Sequence, residues 1–238
     1  MKMLCVLVIS AFLCVPQLWA QQQTAPLKTV KDKESYVIGL NLGADMKRRS
    51  VDNLNYDLLL QGIRDAYSGG KQLLTQEEQT QIWADFQKNL AEKQKVNTMK
   101  MAEENKKKGD AFLAENKTKE GVVTTASGLQ YKVLRAGKGA KPKLEDTVTT
   151  HYRGTLINGT EFDSSYSRNE PVSFPVKGVI PGWTEALQLM ETGSKWQLFI
   201  PSDLAYGPKG AGGVIGPNET LIFEVELLSI GPAAGAKQ

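Results

Sequence analysis

Apolar residues recur with two different periods along the chain. Between about Thr29 and Lys119 they fall at helical spacing, and after Gly121 they alternate with polar residues at every second position. In the helical part, Asn55 is placed to cap a segment whose Tyr56, Leu59, Leu60, Ile63, Ala66 and Tyr67 share a face, and Ser68-Gly69-Gly70 stops it. Thr75-Gln76-Glu77-Glu78 then fits a capping box, in which the threonine oxygen and the glutamate each satisfy an orphan backbone N–H. Ile82, Trp83, Phe86 and Leu90 follow as an apolar stripe that fades, because ten of the twenty residues from Ala91 to Asp110 are charged. With no proline from Thr75 to Lys119, and Gly109 only a modest penalty, the pattern predicts one helix from Gln76 to about Glu115. Its first half has an apolar face to pack and its second half reads as solvated, whether as a solvent-facing helix, a flexible linker or a stalk.

The two-residue alternation covers Leu129, Tyr131 and Val133, then Trp196, Leu198 and Ile200, then Leu221, Phe223, Val225 and Leu227. Turn signals separate these runs: Gly137-Lys138-Gly139, Asn158-Gly159 and a glycine-rich stretch from Gly207 to Gly216. One short helical pattern, Trp183 to Met190, follows Pro181-Gly182. The expectation is an α+β fold, with an antiparallel sheet folded around one short helix and an all-α region before it.

The first twenty residues change the picture of where the chain goes. Lys2, a mostly apolar run from Met3 to Val15, Pro16 and Leu18-Trp19-Ala20 read as an export signal cut after Ala20. The run is shorter than the roughly 20 residues of a membrane span. Both cysteines, Cys5 and Cys14, lie inside it, so the mature chain is expected to have none. Ala11-Phe12-Leu13 lacks the small residue expected before a lipidated Cys14. The expected divisions are a signal at 1–20, a helical dimerisation region at 21–74, a long charged connecting helix at 75–118 and a sheet domain at 119–238.

Composition mainly removes alternatives. The 238 residues carry 29 basic and 26 acidic side chains, too balanced to point to nucleic acid. A single histidine, His151, has no second histidine or mature cysteine with which to bind a metal, and it reads as a strand residue. The Gly207–Gly216 stretch lacks the G-x-x-x-x-G-K-[ST] order and leads to a strand rather than a helix, against phosphate binding. Sequons at Asn116, Asn158 and Asn218 matter only in a eukaryotic secretory pathway. No Ser/His/Asp arrangement or paired carboxylates stand out, and no cofactor or metal is expected.

Instead, aromatic and branched apolar residues stand beside glycines, prolines and turns. The segments are His151-Tyr152-Arg153-Gly154, Asn158 to Ser165 with Phe162-Asp163, Val179-Ile180-Pro181-Gly182-Trp183, Pro201 to Gly207 with Tyr206, and Thr220 to Leu228 with Phe223. In these segments, which cover about residues 125–230, the sequence resembles the FKBP family of peptidyl-prolyl cis-trans isomerases. The helical region before them is similar in architecture to the dimerising domain of Mip- and FkpA-type bacterial members. The resemblance implies a half-barrel of about five or six strands around the short helix, with an apolar pocket between them. Trp183 would form the floor, with Tyr152, Phe162, Val179, Ile180 and Phe223 as walls. The Ile180 N–H and the Tyr206 hydroxyl would hold carbonyls of a prolyl segment, with Asp163 facing the substrate carbonyl and Arg168 nearby. Val214 and Ile215 would flank the pocket, and Val172 stands where many members have an aromatic wall residue.

Those residue types suit the chemistry. Rotation about a peptide bond faces a barrier of roughly 18–20 kcal/mol from its double-bond character, and X-Pro bonds populate cis appreciably. The twisted transition state is less polar than the planar amide, so an apolar pocket that strips water favours it without nucleophile or metal. The implied substrates are proline-containing unfolded or partly folded polypeptides, and the implied inhibitors are the family's macrolides. Homodimerisation is expected through residues 30–90, and the periplasm is the expected location, with outer-membrane or cell-surface association as the alternative. A chaperone or surface interaction protein that binds through a dimeric cleft is the rival function.

Overall fold

The computed structural model describes residues 27–70 and 72–231. The expected export signal at 1–20, with Cys5 and Cys14, lies outside the described residues. The chain divides into two compact units, one ending at Tyr56 and the other running from Asp57.

In the first unit, helix α1 (Val30–Arg48) starts at a capping box that the sequence pattern did not single out. The Thr29 hydroxyl accepts from the Asp32 N–H at 3.1 Å, and the Asp32 carboxylate accepts from the Thr29 N–H at 2.8 Å. Tyr36, Ile38, Leu40 and Leu42, apolar residues at every second position, are all exposed. A two-residue step turns about 200° around a helix of 3.6 residues per turn, so the four divide between opposite sides.

In the second unit, α2 (Tyr56–Ser68) and α3 (Gln76–Asn116) take the expected positions. The Thr75 cap holds as read: its hydroxyl accepts from the Glu78 N–H at 3.2 Å, and Glu78 accepts from the Thr75 N–H at 2.8 Å. At 41 residues, α3 is roughly 62 Å long. Its packing departs from the expectation in part. Of the first-half stripe, Ile82 and Trp83 are exposed while Phe86 and Leu90 are half-buried, and in the second half Ala102, Asn105, Gly109, Phe112, Leu113 and Asn116 form a half-buried to buried seam against the sheet domain. Phe112 meets Phe199 at 5.9 Å between centroids, and the buried Asn116 amide donates to Gln130 Oε1 at 2.9 Å. Gly109 is no mere penalty, since a Cβ there would lie 2.2 Å from Thr220 Oγ1. Its bare backbone lets the helix settle onto the start of the last strand.

The sheet has seven antiparallel strands: β1 (Val122–Thr124), β2 (Gln130–Arg135), β3 (Thr147–Leu156), β4 (Glu161–Ser164), β5 (Val172–Pro175), β6 (Lys195–Ile200) and β7 (Leu221–Gly231). Their order is β1-β2-β6-β7-β3-β4, with β5 also on β3. This exceeds the five or six expected because three-residue β1 extends the β2 edge, and because β4 and β5 share one edge of β3. β5 takes Thr147 to Thr150 and β4 takes Arg153 to Thr155, while β7 covers the other edge throughout. Helix α4 (Pro181–Leu189) starts with Pro181, whose fixed φ and missing N–H suit the first helical position. It buries Trp183, Ala186 and Leu187 against the inward-facing Leu198, Ile200, Leu221, Phe223, Val225 and Leu227. Burial of each large side chain contributes on the order of 1.5–3 kcal/mol.

Candidate active site

The cleft lies between α4 and the strand face of β3, β4, β5 and β7, and one loop closes its side. The alternation that points Tyr152, Phe162, Phe174 and Phe223 inward turns those four strands into one aromatic wall. The cavity is about 590 Å³. Trp183, at the first turn of α4, lies beneath three rings that meet it edge-on: Phe223 at 5.2 Å and 83°, Tyr152 at 5.4 Å and 86°, and Phe174 at 5.9 Å and 79°. Edge-to-face contact puts the positive rim of one ring against the negative face of another, which fixes both. Phe162 meets Phe223 in the same way at 5.4 Å and 81°. The indole N–H of Trp183 is buried with no acceptor among the described residues.

One edge of the cleft is polar, and its groups close into a ring. The Tyr152 hydroxyl donates to Asp163 Oδ2 at 2.5 Å, Arg168 Nη1 donates to Asp163 Oδ1 at 2.6 Å, and Arg168 Nη2 donates to the Tyr152 oxygen at 2.9 Å. Burial works to raise the Asp163 carboxyl, but the hydrogen bonds from Arg168 and Tyr152 outweigh it and hold the group below the usual aspartate value. Burial, helped by the carboxylate, pushes the Tyr152 hydroxyl up. Asp163 therefore stays an anion and Tyr152 a neutral donor, with both oriented by these hydrogen bonds.

The remaining lining comes from two backbone features. Val179 and Ile180 lead into α4, and among the described residues the Ile180 N–H has no acceptor, so it is free to donate into the cleft. Tyr206 precedes the glycine-rich loop, whose Ala211, Gly212, Val214 and Ile215 complete the side wall. The structure thus brings together Tyr152, Phe162, Asp163, Val179, Ile180, Trp183, Tyr206, Val214, Ile215 and Phe223. Arg168 reaches the edge only through Asp163 and Tyr152. Val172 packs on the core and does not line the cleft. Phe174, two residues along the same strand face, supplies the aromatic wall there, and the alternation of β5 was the signal that could have found it. Gly154 was also missed. A Cβ there would lie 2.5 Å from Phe162 Cε2 and 2.8 Å from Phe223 Cε1, so this position must be bare for the two rings to meet. No cluster of His, Cys, Asp and Glu able to hold a metal occurs among the described residues.

Comparison with known proteins agrees with this geometry. The model of the FKBP-type peptidyl-prolyl cis-trans isomerase family matches residues 138–228, and that of the domain amino terminal to FKBP-type peptidyl-prolyl isomerase matches residues 31–133. The chain is 50% identical to the outer membrane protein MIP of Legionella longbeachae over 234 residues, covering 98% of this chain and 100% of that one. It is 47% identical to the peptidyl-prolyl cis-trans isomerase Mip of Coxiella burnetii, covering 86% and 89% of the two chains. The crystal structure of FkpA from Escherichia coli superposes with a TM-score of 0.70 at 41% identity, covering 87% of this chain and 99% of that chain.

Proposed function

Because the chain belongs to the FKBP-type peptidyl-prolyl cis-trans isomerases and has their activity, we propose that it turns X-Pro bonds in the aromatic cleft over Trp183. The observation that carries this assignment is the joining of an apolar, ring-walled floor to one fixed polar edge in the same cavity. The proline ring enters between Phe162, Phe223 and Phe174 and lies on the indole of Trp183. There the amide loses its water, which costs the planar, polar form more than the twisted one. The Ile180 N–H and the Tyr206 hydroxyl donate to the carbonyls flanking the bond and hold the chain while one side rotates. The Asp163 carboxylate, pinned by Arg168 and Tyr152, presents a fixed negative charge to the rotating carbonyl. Such preorganised charge acts without reorganising at the moment of reaction. Val172 supports this wall from behind, through the core it shares with Phe174.

The proposed setting is outside the cytoplasm, with export by residues 1–20 and with the periplasm or the cell surface as destination. A similar protein's name, outer membrane protein MIP, supports that reading. The substrates proposed are proline-containing segments of exported polypeptides that are still folding, and macrolides of the family are the proposed inhibitors. Residues 21–74 are proposed as the dimerisation region, residues 75–118 as the connecting helix and residues 119–238 as the isomerase domain, with pairing of two copies through residues 30–90. In support, the middle of α1 exposes Tyr36, Val37, Ile38, Leu40 and Leu42, a concentration of large apolar side chains that a second copy could cover. Beside α2, a cavity of about 410 Å³ lined by Leu58, Ala66, Leu73 and Leu74 offers a place for apolar side chains of a second copy. Such a dimer would present two clefts to one unfolded chain and gain avidity without new contacts, which favours chaperone binding as a second activity.

The test is an isomerase assay on the mature protein with a peptide carrying an apolar residue before proline, run with and without a macrolide. Acceleration that the macrolide abolishes is expected, and macrolide-insensitive turnover would sink the assignment of the cleft. Light scattering showing a monomer at micromolar concentration would end the dimer proposal. Suppression of client aggregation that persists with the macrolide bound would place chaperone binding outside the cleft.

A further inference from the structure

The side wall of the cleft is built from the least self-supporting kind of chain. The loop from Gly207 to Asn218 holds five glycines in twelve residues, and ordering glycine costs more backbone entropy than ordering any other residue. Beyond the hydrogen bond of 3.4 Å from the Gly210 N–H to the Gly207 carbonyl in its first turn, two internal contacts shape it. Its base closes where the Asn218 N–H donates to the Gly207 carbonyl at 2.8 Å, and its tip closes where Ala211 and Ile215 exchange backbone hydrogen bonds of 2.9 and 3.0 Å. Neither contact fixes the loop against the rest of the molecule.

Besides the packing of Ile215 on the core, that attachment comes from α3. The Asn105 amide, on the helix, donates to the Pro217 carbonyl of the loop at 3.0 Å, and the Asn218 amide, on the loop, donates back to the Ala102 carbonyl of the helix at 3.3 Å. The two asparagines form a reciprocal clasp, each satisfying a backbone acceptor of the other element. Its neighbourhood leaves little slack: a Cβ at Gly216 would come within 3.2 Å of Asn105 Nδ2, and Asn218 holds φ at +54°, which asparagine tolerates better than most residues. Beside the clasp, burial pushes the Glu219 carboxyl up, against the opposing charge of Lys108.

We propose that Asn105 and Asn218 are positioning residues of the isomerase, and that through them the connecting helix fixes the Ala211–Ile215 wall of the cleft. This rests on the assignment of that cleft as the site of catalysis. A wall held in place contacts substrate and transition state alike, so loosening it weakens binding and leaves the rotation step itself alone.

The test compares full-length wild type with Asn105→Ala and Asn218→Gly, the latter chosen because glycine keeps the positive φ. Asn116→Ala serves as the reference, since it breaks the same helix seam at its far end. Steady-state isomerase kinetics, unfolding midpoints and amide exchange at Ala211, Gly212 and Ile215 are measured. Asn105→Ala and Asn218→Gly should each raise KM by about three- to ten-fold, with kcat within about twofold, and speed exchange at the wall amides. Asn116→Ala should lower the unfolding midpoint and leave KM and exchange at those amides unchanged. An active wild type whose KM and wall exchange do not move in the first two variants overturns the positioning role alone. The same holds if Asn116→Ala moves KM as much as they do, since the effect is then general destabilisation. A wild type with no isomerase activity overturns the role and the assignment of the cleft together.

Discussion

Replacing Gly154 by alanine is the sharpest probe of the cleft, because it adds one methyl group and touches nothing polar. Gly154 is buried on β3, opposite Phe223 in register on one side and Asp163 on the other. The added Cβ would lie 2.5 and 2.6 Å from two Phe162 ring carbons and 2.8 Å from one of Phe223. Ordinary carbon contacts are about 3.5–4.0 Å, so the rings must retreat by about 1 Å. Phe223 is held, since it is also edge-on to Trp183 at 5.2 Å, so the displacement falls on Phe162 and carries it into the cleft. Overpacking of this kind costs about 1–3 kcal/mol of stability, offset by about 0.5–1 kcal/mol from removing a strand glycine. A displacement of 1 Å in positioning groups costs up to about 100-fold in rate, or about 2.7 kcal/mol of transition-state stabilisation. The expected result is a fall in kcat/KM of about 10- to 100-fold with cooperative unfolding retained, read by protease-coupled or NMR-exchange assay beside a urea melt. A folded variant within about twofold of wild-type kcat/KM would refute the claim that the Phe162–Phe223 pair shapes the site.

Asp163→Leu should lower kcat/KM by about 10- to 100-fold, because it removes the shared acceptor of Tyr152 and Arg168, while Tyr206→Phe should lower it by about 2- to 10-fold, the worth of one hydrogen bond; the reverse order in the same assay would disprove the roles given them. Gly109→Ala should destabilise the protein by about 1–2 kcal/mol in urea, because the clash with Thr220 exceeds the gain in helix propensity of about 1 kcal/mol. A stabilised variant would mean that α3 does not sit on β7. The Asp163 carboxyl is held below its ordinary value of 3.8, so whatever its charge contributes is fully present above that value and is lost only as pH falls through the lower folded one. Tyr152 is raised above 10.0 and stays neutral below it. The pH profile of kcat/KM should therefore show no limb from this ring between about pH 5 and 9. An acid limb in that range that Asp163→Asn removes would contradict it.

How far the sequence could be read depended on whether a feature is local. The Thr75 cap, the stop at Gly69 and the inward faces of β6 and β7 follow from neighbours within a few residues, and the structure has them where the pattern predicts. Most of the lining of the cleft was legible too, because its residues lie in segments whose joint order the family resemblance marks. Phe174 lies outside those segments, and Val172, two positions earlier on the same face of β5, holds the place where many members carry the aromatic wall residue.

What the sequence determined by itself is the alternation of helical and two-residue periods, hence α2, α3, α4, β2, β6 and β7, and the residue types that suit an apolar binding cleft. What only the tertiary structure decided is where non-neighbours touch. The seam of α3 is made of Ala102, Asn105, Gly109 and Asn116 as much as of Phe112 and Leu113, and small or amide side chains carry no hydrophobic signal; a charged run on the other face hides them. Gly109 and Gly154 look like weaknesses in a helix and a strand until Thr220, Phe162 and Phe223 are brought against them. Propensity is a property of a residue among its chain neighbours, whereas the need for an absent Cβ is a property of what packs there.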